Sequence, residues 1–280
     1  MGNRFNGQTA FITGASSGIG AEIARQLASD GANVVLAARR AEKLLQVVED
    51  IESSGGAALA VECDVCDRAS IDAAVVEAKA KFGGIDLVLA NAGFGVSKAI
   101  QKLETGDFHR QFDTNVFGVL DTIYATLPDV IERKGRIGLV SSIMGHFGAP
   151  AFAPYCASKY AVRGIAESMY YDLADQGVSV TCISPGIVAS EIRSVNNQGV
   201  FTGSKDPVPG WIVVPTDKAA RDIINALYRR KPEAVITGHG KAIVFMIRYF
   251  PRLFRFILRQ SSKGKVNKMH EARRGKDTDN

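Results

Sequence analysis

Cysteine, tryptophan and long uncharged apolar runs are all scarce in this 280-residue sequence. Its four cysteines, Cys63, Cys66, Cys156 and Cys182, are too few and too scattered for the disulfide framework of a secreted protein. Cys63 and Cys66 form one CxxC, but a zinc site wants a second ligand pair. None of the four histidines, His109, His146, His239 and His270, stands at ligand spacing from it, so no metal is expected. The first residues, MGNRFNGQTAFITG, lack the apolar stretch of a signal peptide, and Asn6 stands where N-myristoylation wants Ser or Thr. A cytoplasmic location is expected. Acids are missing altogether between Lys241 and Gln260.

What remains is a globular composition, 46% hydrophobic and 22% charged. The net charge of +5 is unevenly placed. Residues 241–280 carry eleven Lys and Arg against three acids, leaving the other 240 residues with 23 bases and 26 acids. The basic excess belongs to the tail, which reads as an interaction segment on an ordinary body. Two units are expected: a body over 1–240 and a basic amphipathic extension over 241–280.

The body alternates short apolar runs with amphipathic stretches. Strands are expected at 9–14, 33–39, 57–65, 85–93, 136–142, 178–186 and 233–238. Helices are expected at 19–29, 41–53, 70–82, 105–127, 154–176 and 217–230. Strands apolar on both faces and separated by helices predict an α/β fold: one Rossmann-like, doubly wound parallel sheet with helices on both faces.

TGASSGIG, residues 13–20, joins the first strand to the first helix. Gly14, Gly18 and Gly20 let the backbone approach a pyrophosphate, and the helix N-terminus behind them offers free N–H groups and partial positive charge. An NAD site places an acid at the end of the second strand. Here Ala38 stands in that place, followed by Arg39 and Arg40, which suit the 2′-phosphate of NADP.

The segment SSIMGHFGAPAFAPYCASKYAVRG, 141–164, carries the candidate chemistry. Tyr155 and Lys159 are four apart and share a helix face. Carbonyl reduction needs a proton at oxygen. A phenol with a free pKa of about 10 becomes a better donor and acceptor when a nearby cation lowers that value. Ser142, at a strand end, can hold the substrate oxygen. Asn115 falls inside the first long helix, where Asn is disfavoured, and so signals held water or bent backbone.

Together, TGASSGIG, NAG (91–93), Asn115, Ser142, Tyr155-x-x-x-Lys159 and PG (185–186) resemble the short-chain dehydrogenase/reductase family in order and spacing, across residues 8–238. The resemblance implies Tyr155 as acid/base, Ser142 as carbonyl holder and Asn115 as anchor of a proton-relay water. Lys159 is implied as both pKa depressor and ribose contact. Around the cofactor it implies Gly14, Ser16, Ser17, Gly18, Ile19 and Gly20 at the phosphates, Asp64 and Val65 beside adenine, and Asn91, Ala92 and Gly93 along the cleft. Pro185, Gly186, Val188 and Ser190 follow at the nicotinamide, Ser190 replacing the family's threonine. The resemblance also implies a homodimer or homotetramer packed through the two long helices, with Phe112, Val116, Val119 and Ile123 either at that interface or in the chain's own core. A looser likeness runs to lipid-ketone reductases of the 3-ketosphinganine type.

Residues 187–215 have no periodicity, are broken by Gly199, Gly203, Pro207, Pro209 and Gly210, and read as the substrate loop. Val195, Val200, Phe201, Trp211 and Ile212 make it apolar, which fits a lipophilic substrate. The expected activity is hydride transfer between NADPH and a carbonyl of a long-chain keto-lipid, steroid or similar molecule. NADP-linked alcohol oxidation and non-catalytic dinucleotide binding are the alternatives. In the tail, Arg248, Arg252, Arg255 and Arg259 fall on one helical face, and Pro251 kinks the helix or starts another. The charges exclude a membrane span. A helix lying in the membrane interface fits over 241–268, aided by Lys263, Lys265, Lys268, Arg273 and Arg274. So does an arm packed on its own or a partner subunit. No nucleic acid is expected.

Overall fold

The computed structural model describes residues 3–194, 196–198, 200, 202 and 208–261. Val195, Gly199, Phe201, Gly203 and Pro207 of the substrate loop, and the tail bases from Lys263 to Arg274, lie outside the described residues. Seven parallel strands form one sheet in the order β3-β2-β1-β4-β5-β6-β7. They are β1 (Thr9–Thr13), β2 (Asn33–Ala38), β3 (Ala57–Glu62), β4 (Leu87–Ala90), β5 (Arg136–Val140), β6 (Ser179–Pro185) and β7 (Glu233–Ile236). Each matches an expected apolar run, and most are trimmed at the C-terminal end, where the chain leaves the sheet to build loops.

Strand residues alternate between two apolar cores. Ile12, Val34 and Leu36 meet α1 (Gly18–Ser29), α2 (Ala41–Ser53) and α7 (Thr216–Tyr228) on one face. Phe11, Val35 and Ala37 meet α3 (Arg68–Phe82), α5 (Gly118–Glu132) and α6 (Ala153–Asp172) on the other. Helical spacing sets these faces. Ile23 and Leu27 of α1, and Leu44 and Ile51 of α2, are wholly buried, whereas Leu45 is exposed. α3 starts on an Asp67 cap that accepts from the Ala69 N–H at 3.0 Å, and it stops at Gly83, whose φ of +79° is left-handed.

Two helical expectations change. The stretch 105–127 is not one helix: α4 (Thr105–Phe112) passes through a π-helical turn, Asp113–Phe117, before α5 begins at Gly118. The reason lies at Gly118, whose backbone is pressed against β3's exit; a Cβ there would sit 2.8 Å from the Val65 carbonyl oxygen. Val116, Val119 and Ile123 belong to the chain's own core, with Phe112 packed against it. The apolar side chains that α5, α6 and the π turn leave exposed are Phe117, Tyr124, Tyr160, Tyr170 and Tyr171.

The tail begins as α8 (Gly238–Tyr249), so the sequence boundary at 240 falls in its first turn. Phe250 ends it, and Pro251 opens a second helix through 251–261. Among the described residues no helix is long and apolar enough to cross a membrane.

Candidate active site

The strands' C-terminal ends gather nearly all of the expected site residues. The β1–α1 turn is built for close approach. Gly14 has φ +66°, and a Cβ on it would lie 2.8 Å from the Cα of Ala92; one on Gly20 would lie 2.6 Å from the Gly14 carbonyl oxygen. The Asn91 side chain locks this packing by donating to the Thr13 carbonyl at 2.9 Å and the Gly14 carbonyl at 3.3 Å. Thr13, which sequence reasoning passed over, accepts from the N–H groups of Asn91 and Ala92 at 3.1 and 3.2 Å.

Ser17 caps α1 without a side-chain capping bond, and the first intrahelical bond runs from Ala21 N–H to the Ser17 carbonyl. The N–H groups of Gly18, Ile19 and Gly20 precede that bond and face outward from the helix end. Gly18, at φ +56°, has Ser190 as its neighbour: a Cβ on Gly18 would stand 3.4 Å from that of Ser190. The turn thus fits a pyrophosphate on its own geometry, with Ser190 brought over it from the far side of the cleft.

The two arginines after β2 part company. Arg40 folds back, donating to Ser16 Oγ at 3.0 Å and to Ser17 Oγ at 2.8 Å. Arg39 is exposed and lines a cleft of about 160 Å³ with Cys66, Phe94, Arg110, Asp113, Thr114 and Gln198. Asp64 turns the chain at this edge: its Oδ1 accepts from the Cys66 N–H at 3.0 Å, and Val65 is buried against Gly118.

On the catalytic side, Ser142 lies two residues past β5, where its Oγ accepts from the Met144 N–H at 3.1 Å. That bond fixes the oxygen and leaves the hydroxyl proton to be donated elsewhere. Tyr155 is in the first turn of α6, behind Pro154, with its ring against Gly95; a Cβ on Gly95 would be 3.4 Å from Tyr155 Cδ2. Lys159, one turn on, is only 4% exposed. Its Nζ donates to the Val140 carbonyl at 2.8 Å and lies 5.7 Å from the centre of the Tyr155 ring. Ser141 Oγ donates to the Lys159 carbonyl at 2.8 Å, tying α6 to β5 beside the site. Burial pushes the Lys159 amine down to about 8.

The π turn explains Asn115. Wholly buried, its Oδ1 accepts from the Phe94 N–H at 3.1 Å, while Nδ2 donates to the Phe94 carbonyl at 3.0 Å and to Ser158 Oγ at 3.2 Å. Gln111 does the same for the next step, accepting from the Val96 N–H at 2.7 Å and donating to the Phe94 carbonyl at 2.7 Å. Two amide side chains four apart therefore pin residues 94–96. Gly93 lies between the functional groups: a Cβ there would be 3.0 Å from Asn115 Oδ1 and 3.6 Å from Lys159 Nζ. Gln111 was missed, although its spacing from Asn115 was the available signal.

The substrate loop is anchored at several points. Gly186 N–H donates to the Ile236 carbonyl, and Ile187 N–H to His239 Nε2 at 2.9 Å. Val188 is buried and bridges to Val214. Asn197 faces Ser97, accepting from its N–H at 2.9 Å. Trp211, by contrast, is 86% exposed and Val200 57% exposed, so they are not packed down on the body. The tail meets the body beside this site. Phe254 packs edge-on to Phe147 at 5.1 Å, and Arg248 pairs with Glu233 at 3.7 Å. His146, next to Phe147, shares 3.0 Å with Ser184 Oγ, and burial depresses its pKa.

Comparison with known proteins agrees with this fold. The family model described as short chain dehydrogenase matches residues 8–200. A 3-oxoacyl-[acyl-carrier-protein] reductase, FabG, of Staphylococcus aureus is 34% identical over 66% of this chain and 76% of its own length. Glycine betaine reductase ATRR of Emericella nidulans is 32% identical over 82% of this chain, which spans only 18% of that much longer protein. Among solved structures, a short chain dehydrogenase/reductase from Burkholderia phymatum in complex with NAD aligns with a TM-score of 0.79 at 24% identity, covering 89% of this chain and 96% of that one. An alcohol dehydrogenase from Thermococcus sibiricus, complexed with 5-hydroxy-NADP, aligns with a TM-score of 0.72 at 27% identity, covering 82% and 95%.

Proposed function

Starting from the fact that the chain belongs to the short-chain dehydrogenase family and is an oxidoreductase of that type, we propose that it moves hydride between NADP(H) and the carbonyl or alcohol carbon of a lipophilic substrate. The observation that carries the catalytic reading is the buried Lys159 amine one helical turn from Tyr155, held by Val140 and facing Asn115 across Gly93. The bound nicotinamide supplies the hydride in reduction and receives it in oxidation. The chain's own groups manage the proton. Tyr155 gives its phenolic proton to the substrate oxygen as the carbon is reduced, and takes it back in the reverse direction. Ser142 donates a hydrogen bond to the same oxygen and fixes where charge develops. Lys159, charged below about pH 8, favours the phenolate through the ring it faces.

Support for NADP comes from Ala38 in place of an acid and from Arg40 beside Ser16 and Ser17. Support for a lipophilic substrate comes from the exposed Trp211 and Val200 of the loop, and from the acyl carbonyl in the S. aureus relative's name. Initial rates on ketones of rising chain length test both. Longer chains are expected to lower KM, and NADPH to outperform NADH. Replacing Tyr155 by Phe should cut turnover by at least about 10³-fold while NADPH binding persists. Unchanged turnover would refute the mechanism, and equal use of NADH would refute the cofactor assignment.

The extension is proposed to hold the enzyme on an anionic membrane surface. In the helix 251–261, Phe254 and Leu258 face the body, Arg252, Arg255 and Arg259 form a second sector, and Leu253, Phe256 and Ile257 lie exposed in a third. The exposed Phe245 of α8, whose ring pairs with those of the exposed Tyr249 and Phe250, continues that apolar surface. Aromatics beside arginines match an interfacial helix. Assembly into a homodimer or homotetramer is proposed through the exposed aromatics of α5 and α6.

A further inference from the structure

A carboxylate from the substrate loop is planted in the cofactor half of the molecule. Glu191, directly after Ser190, accepts from Lys43 Nζ at 2.6 Å through Oε1 and from Arg40 Nη1 at 2.8 Å through Oε2. The other edge of the same guanidinium serves Ser16 and Ser17. Four elements therefore meet at one point: the phosphate turn, the exit of β2, the first turn of α2 and the start of the loop. Burial alone would raise the Glu191 carboxyl, but hydrogen bonds from Lys43, Arg40 and Ser17 outweigh it and hold it at about 2. The residue is a full anion across any working pH.

One guanidinium, one ammonium and two hydroxyls make the donor set that a phosphate monoester requires. Here the chain's own carboxylate draws on that set. We infer that Glu191 is an internal competitor for the 2′-phosphate of NADP, displaced from Arg40 when the phosphate seats, and that it limits how strongly the chain prefers NADP over NAD. The inference rests on the NADP reading given above. The electrostatic reasoning is direct. A phosphate monoester carries nearly two negative charges and a carboxylate one, so the phosphate takes the guanidinium, against the cost of releasing or crowding Glu191. A cofactor without the 2′-phosphate leaves Glu191 in place and meets no such cost.

The experiment is calorimetric titration of the full-length protein and its Glu191→Gln variant with 2′,5′-ADP and with 5′-ADP. The amide keeps the shape of the side chain and removes its charge. The wild type is expected to bind 2′,5′-ADP more tightly than 5′-ADP. The variant should gain about three- to fivefold more affinity for 2′,5′-ADP, the factor of an exposed ion pair, with 5′-ADP within twofold of the wild type. If the wild type prefers 2′,5′-ADP and the variant binds it no better, Glu191 is not a competitor. If binding weakens, Glu191 instead holds Arg40 in position for the phosphate, and the inference is overturned. A wild type indifferent to the 2′-phosphate would remove the NADP reading and this inference with it.

Discussion

Lys159 is a cation placed where cations are costly. Its amine is buried and its pKa is pushed to about 8 from the ordinary 10.5. Between those values the unfolded chain holds a proton that the folded chain has released, so stability rises with pH from about 8 to 10.5. Below about 8 the penalty is fully present, and it amounts to about 3 kcal/mol. Urea unfolding of the wild type and of Lys159→Met at pH 7.5 and 10.5 isolates this group, because all other titrating groups are common to both. The difference between the two proteins should shift in the wild type's favour by on the order of 3 kcal/mol across that interval. A difference independent of pH would show that Lys159 keeps an ordinary pKa. Its costly placement is visible in the sequence only through its partner: the i, i+4 step from Tyr155 gives the shared face, while the seat on the Val140 carbonyl depends on β5 passing beneath α6.

At the scale of elements, the seven strands were legible because the inner ones are buried on both faces and the edge strands β3 and β7, though partly exposed, are still mostly apolar. The break between α4 and α5 was not. Its causes are non-local: Phe94 and Val96 are held by Gln111 and Asn115, and Gly118 presses on Val65. A lone Asn inside an apolar helix was the one sequence sign of it. Gly118→Ala is expected to destabilise the fold by about 1–3 kcal/mol, as overpacking of a tight contact does, and to weaken cofactor binding by moving Val65. Chemical denaturation and NADPH fluorescence titration check the two effects; an alanine variant as stable as the wild type would show that the π turn has another origin. The loop contacts were hidden for a similar reason. Glu191 sits in an irregular stretch with no periodicity, and its partners Arg40 and Lys43 lie about 150 residues earlier.

At the scale of the molecule, five of the eleven bases of the tail, Lys241, Arg248, Arg252, Arg255 and Arg259, fall on α8 and on the helix that Pro251 opens. The cut at 240 would truncate α8 after its first turn, leaving His239 and its bond to Ile187 without the rest of the helix behind them. Deleting 251–280 is the cleaner test of the membrane proposal. Co-sedimentation with phosphatidylserine-rich vesicles should fall by at least about tenfold relative to the full chain, while activity on a water-soluble ketone persists. Undiminished sedimentation would remove the membrane proposal. A shift from dimer to monomer without loss of vesicle binding would assign the apolar strip to a second copy.

On the membrane proposal, the contact between Phe254 and Phe147 makes the helix 251–261 a mount rather than a tether. A tether lets an enzyme sweep every orientation above the surface that holds it. A mount fixes one, and here it fixes the bearing of the apolar strip relative to Ser142, five residues from Phe147. Inserting a flexible Gly-Ser spacer between Phe250 and Pro251 would convert one into the other. Vesicle binding should survive that insertion, while turnover of a bilayer-dissolved ketone, unlike that of a soluble one, should drop.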